Sequence, residues 1–261
     1  MGNFDLDDVC NCSDIGSDAA NSRGIKLSPV NTFIQYSAST PSATSFIDVI
    51  HSYDSSGNWA SIIDVAIGGA GSEVVIIPNL AFTPQGDGAN HGTTAHWCFP
   101  IYIPEGTRIS ARCTFDQTNT FAQILTFSGF APSVGSGVDT IGWSSNPTNI
   151  TPNASANTKG SYTALTASSS RDYLGFVIAT MGPGQTSSAY SNENRLLDIA
   201  IGSAGNEIPI ISNYFMGRQS LQGVSPFYPI FIPAGTRISA RIQSDGASAA
   251  ASGITLYAVY K

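Results

Sequence analysis

Residues 62–77 read IIDVAIGGAGSEVVII, and residues 196–211 read LLDIAIGSAGNEIPII. A second block, PIYIPEGTRISAR at 100–112, returns as PIFIPAGTRISAR at 229–241 with 11 of its 13 positions identical. The blocks recur 134 and 129 residues later, so the copies differ by five residues in the loop between them. Solenoid repeats run roughly 20–50 residues, and this period is far longer. It describes two whole domains in tandem.

Each copy reads as about seven short strands separated by turn residues. In the first copy they are 33–38, 46–53, 61–68, 73–82, 98–104, 107–115 and 122–130. In the second they are 162–167, 172–181, 196–202, 207–216, 227–233, 236–244 and 253–260. Leu197, Ile199 and Ile201 alternate with Leu196, Asp198 and Ala200, which is strand period. No stretch carries a helical period. Seven or so strands in roughly 100 residues signal a β-sandwich, with the jelly roll as candidate topology. The fold class is therefore all-β, with two tandem β-sandwich domains at 24–131 and 159–261 related by internal duplication. Residues 1–23 form an extended N-terminal arm, acidic and poor in β-formers, expected to be held by partner subunits. Residues 132–158 form a linker rich in Ser, Asn, Thr, Pro and Gly, with Trp143 as aromatic anchor.

The GGAG and GSAG runs are not phosphate loops, because no Lys-Ser or Lys-Thr follows and no helix begins there. They are turns that need positive φ, as are Gly106 and Gly235. Around Gly106, provided the segment is a hairpin and not an arch joining two sheets, an apolar-matched register is expected, pairing Ile103 with Ile109, Ile101 with Ala111, and Phe99 with Cys113. The second copy would pair Ile232 with Ile238, Ile230 with Ala240, and Tyr228 with Ile242. A one-residue slip would mix the faces.

Charged residues make up 11% of the chain, against roughly 25% in an average domain. Those present in both copies therefore stand out: Asp64 and Asp198, Glu73 and Glu207, Arg108 and Arg237, Arg112 and Arg241. They are read as internal structural clamps, each arginine meeting a carboxylate or backbone carbonyls of its own domain. The alternative is a duplicated ligand or cation site.

The net charge of -7 and 11 scattered basic residues argue against a nucleic-acid partner, which needs clustered Lys and Arg. No apolar run approaches the roughly 20 residues of a membrane helix, so no membrane partner is expected. The opening MGNFDLDD lacks the apolar core of a signal peptide, and Leu6 breaks the myristoylation pattern. Synthesis in a host cytoplasm is the expectation. His51, His91 and His96 have no counterparts in the second copy, and no catalytic or metal motif surrounds them. Zinc through His96, Cys98 and Cys113 is disfavoured, because the repeat positions of the cysteines are Phe227 and Ile242, marking small apolar roles. Cys10-Asn11-Cys12 is too short for a zinc knuckle. Those two cysteines are expected either in intersubunit disulfides or as thiols against a partner. No cofactor is implied. Trp59, Trp97 and Trp143 are candidate sugar-stacking platforms, but Glu193 and Pro226 replace the first two in the second copy, so packing is preferred.

IDVAIGGAGSEVVIIPN and PIFIPAGTRISAR resemble blocks in small β-sandwich virion proteins of tailed bacteriophages, over roughly half of each domain. The resemblance implies a non-enzymatic structural subunit of a virion, carried in the particle among other virion proteins. Within that class a peripheral component is favoured: a neck or collar piece, a tail appendage or a capsid decoration protein, anchored through the arm. Symmetric homo-oligomers are the default for such subunits. The alternative is a carbohydrate- or receptor-binding module of a phage fibre, with a host glycan as partner.

Overall fold

Period-two runs rich in Val, Ile, Tyr and Phe place the chain in strands. The structure, a computed structural model, describes residues 11–14, 16–18, 23–53, 61–82, 94–115, 120–129, 134–181, 193–216, 223–247 and 250–261. Among these residues there are nineteen strands and no helix. The first half holds β1 (Asn11–Asp14), β2 (Ser17–Asp18), β3 (Arg23–Lys26), β4 (Ile34–Ser37) and β5 (Phe46–Tyr53). It continues through β6 (Ser61–Ile67), β7 (Val74–Phe82), β8 (Thr94–Phe99), β9 (Ile109–Phe115) and β10 (Thr120–Ser128). The second half holds β11 (Gly137–Ile141), β12 (Thr148–Ile150), β13 (Thr163–Thr166), β14 (Tyr173–Met181) and β15 (Arg195–Ile201). It closes with β16 (Ile208–Met216), β17 (Gly223–Val224), β18 (Ile238–Ser244) and β19 (Ser252–Tyr260).

One sheet of the first half runs β3-β10-β5-β8 and the other β4-β9-β6-β7. Counted along the chain, these eight strands follow the orders 1-8-3-6 and 2-7-4-5, the connectivity of a jelly roll. The second half repeats both orders, with β12, β19, β14 and β17 in one sheet and β13-β18-β15-β16 in the other. The chain is a pair of tandem jelly-roll sandwiches.

The duplicated unit is larger than the sequence blocks. β1 pairs with β10 from Asn11↔Ser128 to Asp14↔Leu125. β11 pairs with β19 from Gly137↔Tyr260 to Ile141↔Leu256, the same edge in the same register. The segments taken as arm and linker thus contain matching strands, each laid on its own sandwich. They are short (NCSD and GVDTI), and their partners lie more than 100 residues away, so no local pattern announces them.

The expected hairpin at 98–115 is an arch. β8 pairs with β5 and β9 with β6 and β4, in opposite sheets. Pro100 and Pro104 have no N–H to give to a continuous ladder, and the segment between them crosses the sandwich. The grouping of side chains is nevertheless real: Phe99, Ile101, Ile103, Ile109, Ala111 and Cys113 are all fully buried. They meet across the interior, face to face. The second copy crosses the same way, with Pro229 and Pro233 at the corresponding places.

Each sandwich has its own core, yet β14 and β19 serve both. Phe176, Ile178, Leu256 and Ala258 face the second core, while Val177, Ala179, Tyr257 and Val259 join the first. Strands buried on both faces read as continuous apolar runs, as VIAT and LYAV do here.

Candidate functional site

The duplicated charges assemble first. Each of the edge strands β7 and β16 carries a bulge at an asparagine with positive φ: 55° at Asn79 and 56° at Asn213. The bulge frees a backbone amide, and an aspartate on the neighbouring strand takes it. Asn79 N–H donates to Asp64 Oδ1 and Asn213 N–H to Asp198 Oδ1, both at 2.9 Å. The other carboxylate oxygen accepts from Arg112 Nε or Arg241 Nε, again at 2.9 Å. Each guanidinium then stacks on an aromatic ring, Phe33 at 4.6 Å and Tyr162 at 4.4 Å. The result is a polar spine across the outer face of each sheet. In the second copy Lys159 Nζ adds a bond of 2.7 Å to Asp198. Burial pushes the Asp198 carboxyl up, but Lys159, the Asn213 amide and Arg241 outweigh it and hold it below the usual range.

The glutamates and remaining arginines fix the turn that precedes the bulged strand. Arg108 Nη1 donates to Glu73 Oε1 at 3.1 Å and to Gly68 O at 3.0 Å. Arg237 does the same with Glu207 at 3.0 Å and Gly202 O at 3.1 Å. The second carboxylate oxygen accepts the Gly71 or Gly205 amide at 2.9 Å. Gly71 and Gly205 hold φ of 83° and 84°, a conformation that favours glycine. The Glu73 carboxyl is held low by its own backbone amide and by Arg108. At Glu207, desolvation is outweighed by its backbone amide and Arg237, with the same result. The eight singled-out residues therefore form four arginine–carboxylate pairs, two per copy. Their side chains point into turns and bulges of the sandwich itself.

A different constellation joins the halves. Tyr257, fully buried, inserts between the edge strands β7 and β8. Its hydroxyl accepts the Ala81 N–H at 3.1 Å and donates to Asn79 O at 2.5 Å. Its ring meets Trp97 edge-on at 4.9 Å. Burial raises the phenol well above its ordinary range. Gly137 allows β11 to come close, because a Cβ there would lie 3.0 Å from the Ile76 carbonyl oxygen. Sequence reading missed this contact, since Tyr257 has no tyrosine at its repeat position. Asn79 and Asn213 did leave a signal: the same residue at the same place in both copies, inside a strand where Asn is disfavoured.

His51 is fully buried and its Nε2 lies 2.7 Å from Ser61 Oγ, beside the Phe82 ring at 5.1 Å. Burial lowers its pKa to about 3, so the ring is neutral. Cys98 lies on the outer face of β8 and Cys113 in the core, and neither forms a disulfide among the described residues. Burial and the neighbouring Asp48 push the Cys98 thiol up to about 12. No group of three metal-ligating side chains occurs among the described residues. Cys10 and the side chain of Cys12 lie outside those residues, as do His91 and Trp59. Trp97 is in the core. Trp143 instead lines a cleft of about 360 Å³ with Pro78, Asp139, Tyr173, Ser168 and Ser170. There Asp139 Oδ2 accepts from the Tyr173 hydroxyl at 3.0 Å and from Ser170 Oγ at 3.1 Å.

No protein-family model matches the chain, and no curated protein matches it. Among solved structures, a similar chain comes from the structure of infectious bursal disease virus, Gx strain. It shares 10% identity over 85% of this chain and 58% of that one, with a TM-score of 0.30. A similarity of that degree carries no argument about function here.

Proposed function

We propose that the chain is a non-enzymatic structural subunit of a virus particle. Within that class it is a peripheral component of a tailed-bacteriophage virion, a neck or collar piece, a tail appendage or a capsid decoration protein. The observation that carries this reading is the architecture itself: two jelly rolls fused through a shared sheet, with the charges common to both copies absorbed in internal clamps. Such a body offers rigid surface for assembly, and its repeat blocks resemble those of phage virion proteins. The segment before β1 is the anchor in this reading. A reconstruction of the intact particle tests it, with two tandem sandwiches expected at the neck, tail or capsid surface. Purified particles that lack the chain by mass spectrometry would rule it out.

The Trp143 cleft favours a second reading, a glycan-binding module of a fibre. An aromatic ring beside a carboxylate and several hydroxyls suits a sugar, whose apolar face stacks and whose hydroxyls hydrogen-bond. A glycan array decides it: dose-dependent binding that is lost on Trp143→Ala supports the module, and no binding rejects it.

A further inference from the structure

The first sandwich packs on the second through its edge strand β7 among other contacts, and the chain carries a second set of the same parts. Inside the chain, edge strand β7 docks on the outer face of the sheet β11-β19-β14-β17. Its copy in the second sandwich, β16, is uncovered among the described residues: Ala81 is 2% exposed, while Phe215 at the same position is 64% exposed. An exposed apolar edge strand is a template for pairing unless something covers it. The receiving face also has a copy. β1, β10, β5 and β8 stand as β11, β19, β14 and β17 do, in equal register. Phe46, Ile50, Leu125 and Phe127 lie half-buried on it. Asp48 is buried there, its Oδ2 bonded to His96 Nδ1 and its Oδ1 without a hydrogen-bond partner among the described residues.

We propose that β16 of one copy docks on the outer face of β1-β10-β5-β8 of the next copy, repeating between chains the contact that joins the halves within one. Three features fit this occupant. Volumes are exchanged: small Ala81 faces large Tyr257 inside the chain, whereas large Phe215 would face the smaller Leu125. Polarity fits as well. The Phe215 amide faces outward by the register that turns the Ala81 amide to Tyr257, and so offers the same donor to a receiving face. Finally, the strand β1 gains a role, because it completes the face as β11 does. The contact is heterologous, so it closes into a ring or runs on as a filament. It goes beyond the virion reading and stands without it.

Sedimentation velocity on the full chain tests the proposal with a tail variant, Phe215→Glu, and a face variant, Leu125→Arg. Circular dichroism checks that each is folded. If Leu125→Arg fails that check, Gln123→Arg replaces it, a change on the same face that removes no apolar contact. The wild type should form species larger than a dimer, and each variant alone should be monomeric. An equimolar mixture of the two should give a 1:1 dimer that grows no further, because one intact edge meets one intact face. A wild type that stays monomeric at about 100 μM, ample for a Kd near 1 μM, overturns the proposal. So does association of the face variant alone, which marks an edge-to-edge contact, or a mixture that stays monomeric. Association that appears only when residues 1–10 are deleted would place the arm on the face instead.

Discussion

Acidification from about pH 7.5 to about 5 should destabilise the first sandwich through His51. The ordinary value for histidine is 6.5, and burial lowers His51 to about 3. Between those values the unfolded chain binds a proton that the native ring refuses, so stability falls as pH falls. The contribution is complete above 6.5 and is lost progressively through the window from 6.5 to about 3. Each pH unit in that window costs about 1.4 kcal/mol, which gives roughly 2 kcal/mol at pH 5. In a chain of this size that corresponds to a drop of about 4–8 °C in Tm. Calorimetric melts of the wild type and His51→Gln across this range measure it. The variant lowers stability by some constant amount, and the informative quantity is the difference in slope. His96 and the carboxylates held below their ordinary values of 3.8 to 4.5 are common to both proteins, so their contributions cancel in the difference. Parallel Tm profiles for the two proteins would refute the reasoning.

Three further outcomes follow from the geometry. Tyr257→Phe removes the bonds its hydroxyl makes to the Ala81 N–H and the Asn79 carbonyl in a buried contact and should cost about 2 kcal/mol in urea unfolding; a loss under about 0.5 kcal/mol contradicts the bond network. Asp198→Ala leaves Lys159 and Arg241 without their shared carboxylate and frees the bulge amide, so about 3 kcal/mol should be lost. Asp64→Ala, which deprives one cation only, should cost less in the same thermal melts. At lower pH, Asp198, Glu73 and Glu207 are held below ordinary values of 3.8, 4.5 and 4.5. Their contribution is present above those values and lost as pH falls through and below them, so Tm should drop more steeply below about pH 4.5 in the wild type than in Asp198→Asn.

Much of this protein was legible in one dimension. The two blocks and their offsets determined that a sandwich-sized unit occurs twice, because a strand's alternation and a turn's glycine are written locally. The same blocks pointed to Asp64, Glu73, Arg108 and Arg112 and their copies, since scarce charges retained at equivalent positions in a weakly charged chain have partners nearby. Gly71 and Gly205 could be placed at positive φ for the same local reason. Which strands pair was not legible. Ile103 and Ile109 share an interior, but periodicity specifies a face and not whether the opposing residue sits beside it in one sheet or across the core in another. Only the tertiary structure turned the hairpin into an arch, and only it moved β1 and β11 from arm and linker into matching sheet edges. It also showed β7 and β16 in unlike surroundings: both carry the asparagine bulge, yet one is sealed by Tyr257 and the other is exposed. That difference arises because burial belongs to whatever lies opposite a residue, and for these strands the opposite surface comes from more than 100 residues away along the chain.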